Sequence, residues 1–177
     1  MIWAIHMHPH DSEISAMSRK LAYRNLPQLF LRAREELLCH FRPIITHFGL
    51  TEQQWRILRA IGEYDQLEPR EICEICQILS PSLTGVLSRM EDMGLVTRTR
   101  MEEDQRRVIV RMTPKAEKLV AELGPLIVEQ YKVIEQAFGP ELIQELYEVM
   151  DKVIAAERGP IPQIKLPPRK NWLTDET

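Results

Sequence analysis

Glycine is scarce in this chain, with 7 residues in 177. None of them builds a Gly-rich phosphate loop or a Gly-x-Ser-x-Gly elbow, and no His-Glu-x-x-His run is present, so three common catalytic frameworks are missing. Cysteine is scarcer: Cys39, Cys73 and Cys76 are an odd number in a chain without an export signal, and reduced thiols are the expectation. Cys73-x-x-Cys76 would need two further ligands to hold zinc, and none of Cys39, His40 or His47 follows such a pattern. His6, His8 and His10 alternate in the opening segment, but that alternation alone is too little for a site, so no metal and no cofactor are expected. No apolar run approaches the roughly 20 residues of a membrane span. Met1-Ile2-Trp3-Ala4-Ile5 is too short for a signal-peptide core and lacks a basic leader, which makes a cytoplasmic protein the expectation. A surplus of positive charge is also lacking: the formal net charge is −3, which excludes a non-specific nucleic-acid coat but not a specific reader.

What is present is unevenly placed. Between residues 18 and 42 stand Arg19, Lys20, Arg24, Arg32, Arg34 and Arg42 against only Glu35 and Glu36. A second basic cluster comprises Arg98, Arg100, Arg106, Arg107 and Arg111, while the C-terminal helical stretch carries most of the surplus acid. Apolar and charged fractions of 44% and 28% are those of an ordinary globular chain, which argues against wholesale disorder.

The periodicities predict a mainly helical (α+β) protein. Residues 1–17 read as a flexible extension, with Met17 an alternative start. From about Ser18 to Phe48, Leu26, Phe30, Ala33, Leu37, Phe41, Ile44 and Phe48 recur at three- and four-residue steps, predicting one long helix bent at Pro43. Gly49 closes it, and Thr51 with Gln54 forms a capping box for a helix that turns Trp55, Leu58 and Ile61 inward and ends near Gly62. Pro69 opens a short helix with Ile72, Ile75 and Cys76 facing the core. Ser80 caps the next, with Leu83, Val86, Leu87 and Met90 inward, and Gly94 stops it. Residues 95–100 and 107–112 read as two strands of a hairpin. Thr113-Pro114 begins a long helix with a kink at Gly124-Pro125, Gly139-Pro140 breaks it, and a last helix follows. Four prolines from Pro160 to Pro168 make residues 157–177 an extended tail. The domain reading is thus a central lobe at 51–113 between helical regions 18–50 and 114–156.

Helix, helix, short helix, turn, helix, β-hairpin is the order of a winged helix-turn-helix. With its apolar stripe buried, the segment after Ser80 leaves Ser82, Gly85, Ser88 and Arg89 outside, with Thr84 at the edge. Hydroxyls there can bond bases or phosphates, Gly85 permits close approach, and Arg89 can reach a guanine or a phosphate. The hairpin tip carries Asp104 and Arg106, flanked by Arg98, Arg100 and Arg107, and arginine suits the negative potential of a minor groove. Asp104 is expected to hold a neighbouring arginine in place. Glu102 and Glu103 sit on the water-exposed tip, unsuited to a tuned catalytic pKa, and no enzyme activity is expected.

The run Ser80-Pro81-Ser82-Leu83-Thr84-Gly85-Val86-Leu87, then Met93-Gly94-Leu95-Val96, then Asp104-Gln105-Arg106-Arg107 leading to Met112-Thr113, resembles the MarR family of regulators over roughly residues 24–156. Ala33-Arg34-Glu35, Phe41-Arg42-Pro43 and Leu50-Thr51-Glu52-Gln53-Gln54-Trp55-Arg56 are similar to its branch of homoprotocatechuate-degradation operon regulators. The resemblance implies a homodimer joined by the first and last helices, a pseudopalindromic double-stranded operator, repression, and relief by a small aromatic carboxylate. Pro114-Lys115-Ala116 departs from the family's usual Glu-Lys-Gly, and neither tail has a family counterpart. The residues also argue for a dimer directly, because the terminal helices are too apolar to be covered by so small a lobe and a twofold partner would cover them. For the effector, Arg34 could pair a carboxylate, Trp55 could pack on a ring, and Arg56 is a third candidate. The competing readings are a regulator answering thiol oxidation or another ligand, and a protein-interaction module that binds no DNA.

Overall fold

The computed structural model of the protein describes residues 23–101, 104 and 106–168. The expected 1–17 extension, the helix start at Ser18 with Arg19 and Lys20, the wing residues Glu102, Glu103 and Gln105, and residues 169–177 lie outside the described residues.

The long first helix is two helices. α1 spans Leu26–Leu38 and is capped by Asn25, whose side chain accepts the Gln28 N–H at 3.1 Å. α2 spans Arg42–His47. Pro43 has no N–H to give, and its ring crowds the carbonyl four residues back, so a sharp restart with proline in the first turn replaces the expected bend. Gly49 then stops α2 at φ +72°, with its N–H on the Thr46 carbonyl at 2.9 Å and the Leu50 N–H on that of Ile45 at 3.1 Å. A side chain in that left-handed conformation would cost about 1–2 kcal/mol.

α3 (Glu52–Tyr64) starts on the expected capping box: Thr51 Oγ1 accepts the Gln54 N–H at 3.2 Å, and Gln54 Oε1 accepts that of Thr51 at 2.9 Å. It runs two residues beyond Gly62. A strand too short for its sequence to announce, β1 (Gln66–Leu67), leads to α4 (Pro69–Cys76) and α5 (Ser80–Asp92). Leu79 is the N-cap of α5, and Ser80 is its first helical residue instead of the cap. β2 (Val96–Arg100) and β3 (Val108–Met112) pair antiparallel from Val96 opposite Met112 to Arg100 opposite Val108. β1 adds on the far side of β3, giving the order β1-β3-β2, with Leu67 opposite Val110.

One core serves these elements. Ile57, Leu58 and Ile61 of α3, Ile72 and Cys76 of α4, Leu83, Leu87 and Met90 of α5, and Leu95 and Val110 beside the sheet are each at most 2% exposed. Full burial of such a side chain stabilises by roughly 1.5–3 kcal/mol. Ile75, expected inside, is 43% exposed, because Ile72 and Cys76 already define the inward stripe of that short helix. Trp55 is half-buried and lies at the rim of the core.

α6 (Pro114–Phe138) continues unbroken through Gly124 and Pro125, where Ala121 and Pro125 are exposed and water can solvate the carbonyl that proline leaves unpaired. α7 spans Pro140–Ala155, and residues 156–168 form neither helix nor strand. The chain divides into one unit through Ile134 and a second from Glu135. The start of α6 is tied to the end of α5: Thr113 Oγ1 accepts the Ala116 N–H at 3.2 Å and donates to the Gly94 carbonyl at 2.7 Å. Lys115 Nζ reaches the Met93 carbonyl at 2.6 Å. Thr113→Val keeps the shape and removes both hydroxyl bonds, and it is expected to destabilise folding by about 1–2 kcal/mol. An unchanged midpoint in urea denaturation would deny the cap that role.

Candidate nucleic-acid interface and effector site

α5 owes its exposed face to the residues it buries. Leu83, Val86, Leu87 and Met90 turn into the core, and Ser80, Ser82, Thr84, Gly85, Ser88 and Arg89 are left exposed. The helix is stopped by Gly94 at φ +66°, with the Gly94 N–H on the Glu91 carbonyl and the Leu95 N–H on that of Met90, each at 2.8 Å. A Cβ built on Gly85 would stand 3.7 Å from Arg89 Nη1, so the Arg89 guanidinium lies along the bare surface of Gly85. Thr84 Oγ1 is 3.5 Å from the Ser80 carbonyl, bonding back onto its own helix. The result is a thin ridge of small groups beside one cation.

The wing arginines are handled in two ways. Arg98 donates from Nε to Glu91 at 2.7 Å, and Arg107 donates from Nε to Glu68 at 2.8 Å. Each hydrogen bond raises the arginine's pKa, and the guanidinium on Glu91 holds that carboxyl below the usual range. Arg106 and Arg100 have no ion-pair partner among the described residues. Asp104 accepts the Arg106 backbone N–H on its side chain at 3.0 Å and the Arg107 N–H on its carbonyl at 2.9 Å. Its contacts with the two arginines are thus made to their main chain.

The candidate effector residues do not all converge. Arg56 donates to the Cys76 carbonyl at 2.7 Å, and the Cys76 thiol returns a bond to the Arg56 carbonyl at 3.6 Å, fastening α3 to α4. Burial also pushes the Cys76 thiol up, away from thiolate reactivity. Arg34 pairs with Glu52 at 3.4 Å, and Arg42 joins both Glu52 and Glu35, the latter at 2.6 and 2.7 Å. Arg34 thus belongs to a four-charge network linking α1, α2 and α3.

A residue that the sequence reading passed over shares a helix face with Trp55. Arg59 follows Trp55 by four positions, on the same stripe of α3, whereas Arg56 points about 100° away. Its Nη1 donates to the Tyr131 hydroxyl of α6 at 3.4 Å and its Nε to Glu63 at 3.2 Å, and the Tyr131 bond raises its pKa most. The Tyr131 ring packs against Phe41 with centroids 4.6 Å apart. The i, i+4 spacing from Trp55 could have flagged Arg59. Tyr131, 72 residues further on, gave no such signal. A cation, a phenol and aromatic faces in one place suit a planar anion. Among the described residues no cluster of His, Cys, Asp or Glu could hold a metal ion, and no helix is long and apolar enough to cross a membrane.

The family model described as MarR family matches residues 48–107, which hold α3, the helix-turn-helix and the first part of the wing. The chain is 40% identical over 126 residues to the HTH-type transcriptional regulator FarR of Neisseria gonorrhoeae, covering 70% of this chain and 86% of that protein. It is 39% identical over 125 residues to the homoprotocatechuate degradative operon repressor of Escherichia coli, covering 71% and 84%. The crystal structure of NadR in complex with 4-hydroxyphenylacetate matches with a TM-score of 0.67 at 36% identity, over 77% of this chain and 97% of that one. These relatives are named as regulators, not as enzymes, and the sequence, the winged helix-turn-helix and the likeness agree: the chain belongs to the MarR family of transcriptional regulators.

Proposed function

We propose that the chain is a homodimeric repressor of an aromatic-acid catabolic operon, released from its operator by a small aromatic carboxylate. The observation that carries the effector half is Arg59 bonded to the Tyr131 hydroxyl against the Phe41 ring, with Trp55 one turn away on α3. NadR, similar over most of its length, holds 4-hydroxyphenylacetate, and the E. coli relative represses homoprotocatechuate degradation. In this reading Arg59 receives the carboxylate, Trp55 covers the ring, and Arg34 contributes through Glu52. Arg56 is spent on the Cys76 carbonyl.

For DNA, α5 enters a major groove with Ser80, Ser82, Thr84, Gly85, Ser88 and Arg89, and Arg106 at the wing tip enters the flanking minor groove. Arg98 and Arg107 reach phosphates only by releasing Glu91 and Glu68. Dimerisation is supported by exposure: α1 has no buried residue although it carries Leu26, Phe30 and Leu31, and α7 has none although it carries Leu142, Tyr147 and Val149. In this reading regions 18–50 and 114–156 form the dimer scaffold and 51–113 is the reading lobe. Twofold symmetry then places half-sites about 10 bp apart, or one turn.

Fluorescence anisotropy against an operator recovered by in vitro selection tests both halves. Nanomolar binding released by 4-hydroxyphenylacetate or 3,4-dihydroxyphenylacetate is the expected result, and an operator complex indifferent to both acids would remove the aromatic effector. Arg59→Ala is expected to raise the acid concentration needed for release by about 10–100-fold with DNA affinity kept, the loss of one charge-assisted contact. Equal acid sensitivity in that variant would exclude Arg59 from the site. On the DNA side, Arg106→Ala is expected to weaken binding while leaving the dimer intact in sedimentation. Glu68→Gln, by freeing Arg107, should tighten binding and steepen its salt dependence by about one unit of slope per half-site. A salt slope identical to that of the natural protein would mean that Arg107 meets no phosphate.

A further inference from the structure

Among the described residues, Leu79 has no partner that accounts for it. It is 78% exposed, while the residues around it in sequence, Ile78 and Leu83, are 5% and 2% exposed. Its backbone is fixed: it is the N-cap of α5 at φ −66°, ψ 136°, and its carbonyl accepts the Ser82 and Leu83 N–H groups at 2.9 and 3.0 Å. A leucine gives no capping bond, so the side chain contributes nothing to the helix start that serine or aspartate would not do better. It stands at the leading end of the ridge formed by Ser80, Ser82 and Thr84, where the exposed side chains other than Pro81 are polar or small. An apolar group on a rigid root at the tip of a helix that enters the major groove meets one apolar feature of the base edges, the C5-methyl of thymine.

We propose that Leu79 is a specificity-determining residue that reads a thymine methyl at one position of each half-site. The inference rests on the DNA-binding reading of α5 given above and adds to it a base identity at a position where no hydrogen bond is made. Its fixed backbone favours this use, because no main-chain freedom is lost when the methyl is covered.

The test uses the full-length protein and the duplex recovered by selection from a random library, with thymines replaced by deoxyuridine one symmetric pair at a time. Deoxyuridine keeps every hydrogen-bonding group and removes only the methyl. One symmetric pair is expected to weaken binding by about 4-fold per methyl and about 15-fold for the two half-sites together. Leu79→Ala should bind the thymine duplex that much more weakly and should no longer distinguish thymine from deoxyuridine at that pair, while other positions keep their preferences. Two results would overturn the proposal: equal binding of every deoxyuridine duplex by the natural protein, or a Leu79→Ala variant weakened alike on both duplexes with the discrimination intact. If no duplex is selected at all, the DNA-binding reading fails first and takes this inference with it. A selected duplex without methyl dependence overturns the role of Leu79 alone.

Discussion

Leu83, Val86, Leu87 and Met90 are each at most 3% exposed, and the lobe has no other way to cover the apolar residues of α3, α4 and the sheet beneath them. Once these four point inward, the 3.6-residue repeat assigns Ser82, Gly85, Ser88 and Arg89 to the outside with no freedom left. The Gly94 stop, the turn of the wing and the start of α6 are then placed relative to that helix. Core packing and the make-up of the exposed ridge are therefore two faces of one constraint, and a core substitution that rotated α5 would move the ridge with it.

Electrostatics on the surface follow a different logic. The chain carries a formal charge of −3, and several of its arginines answer to glutamates of the same chain: Arg98 to Glu91, Arg107 to Glu68, Arg34 and Arg42 to Glu52. Exposed pairs of this kind add little to stability, typically under about 1 kcal/mol each. Their effect is on which cations face outward without an internal partner, and among the described wing residues that leaves Arg100 and Arg106, the latter held by the Asp104 turn.

Local signals with a single physical cause were legible in the sequence. Gly49 as a left-handed stop, the Thr51–Gln54 capping box, the inward stripe of α5 and the hairpin strands all rest on neighbours a few residues apart. The resemblance to the MarR family rested on the same stretch, from Ser80 through the wing to Thr113. Features that depend on distant partners were not legible. The choice between Arg56 and Arg59 turns on the Cys76 carbonyl and the Tyr131 hydroxyl, and nothing near residue 56 announces either. Ile75 was assigned inward together with Ile72 and Cys76, but the apolar partners from other elements cover only those two, and β1 is only two residues long. Pro43 was recognised, but its full consequence, a restart in place of a bend, depended on how the chain around Cys39 could turn.

The bonds at Thr113 and Lys115 bear on how movement could pass through the molecule. α6 begins by gripping the Gly94 and Met93 carbonyls at the end of the recognition helix's last turn. Eighteen residues later, about 27 Å along the same helix, it presents Tyr131 to Arg59. The aromatic end and the reading end are thus opposite ends of one lever. With no loop between them to absorb displacement, a tilt of α6 at Tyr131 would be passed along the helix to the end of α5.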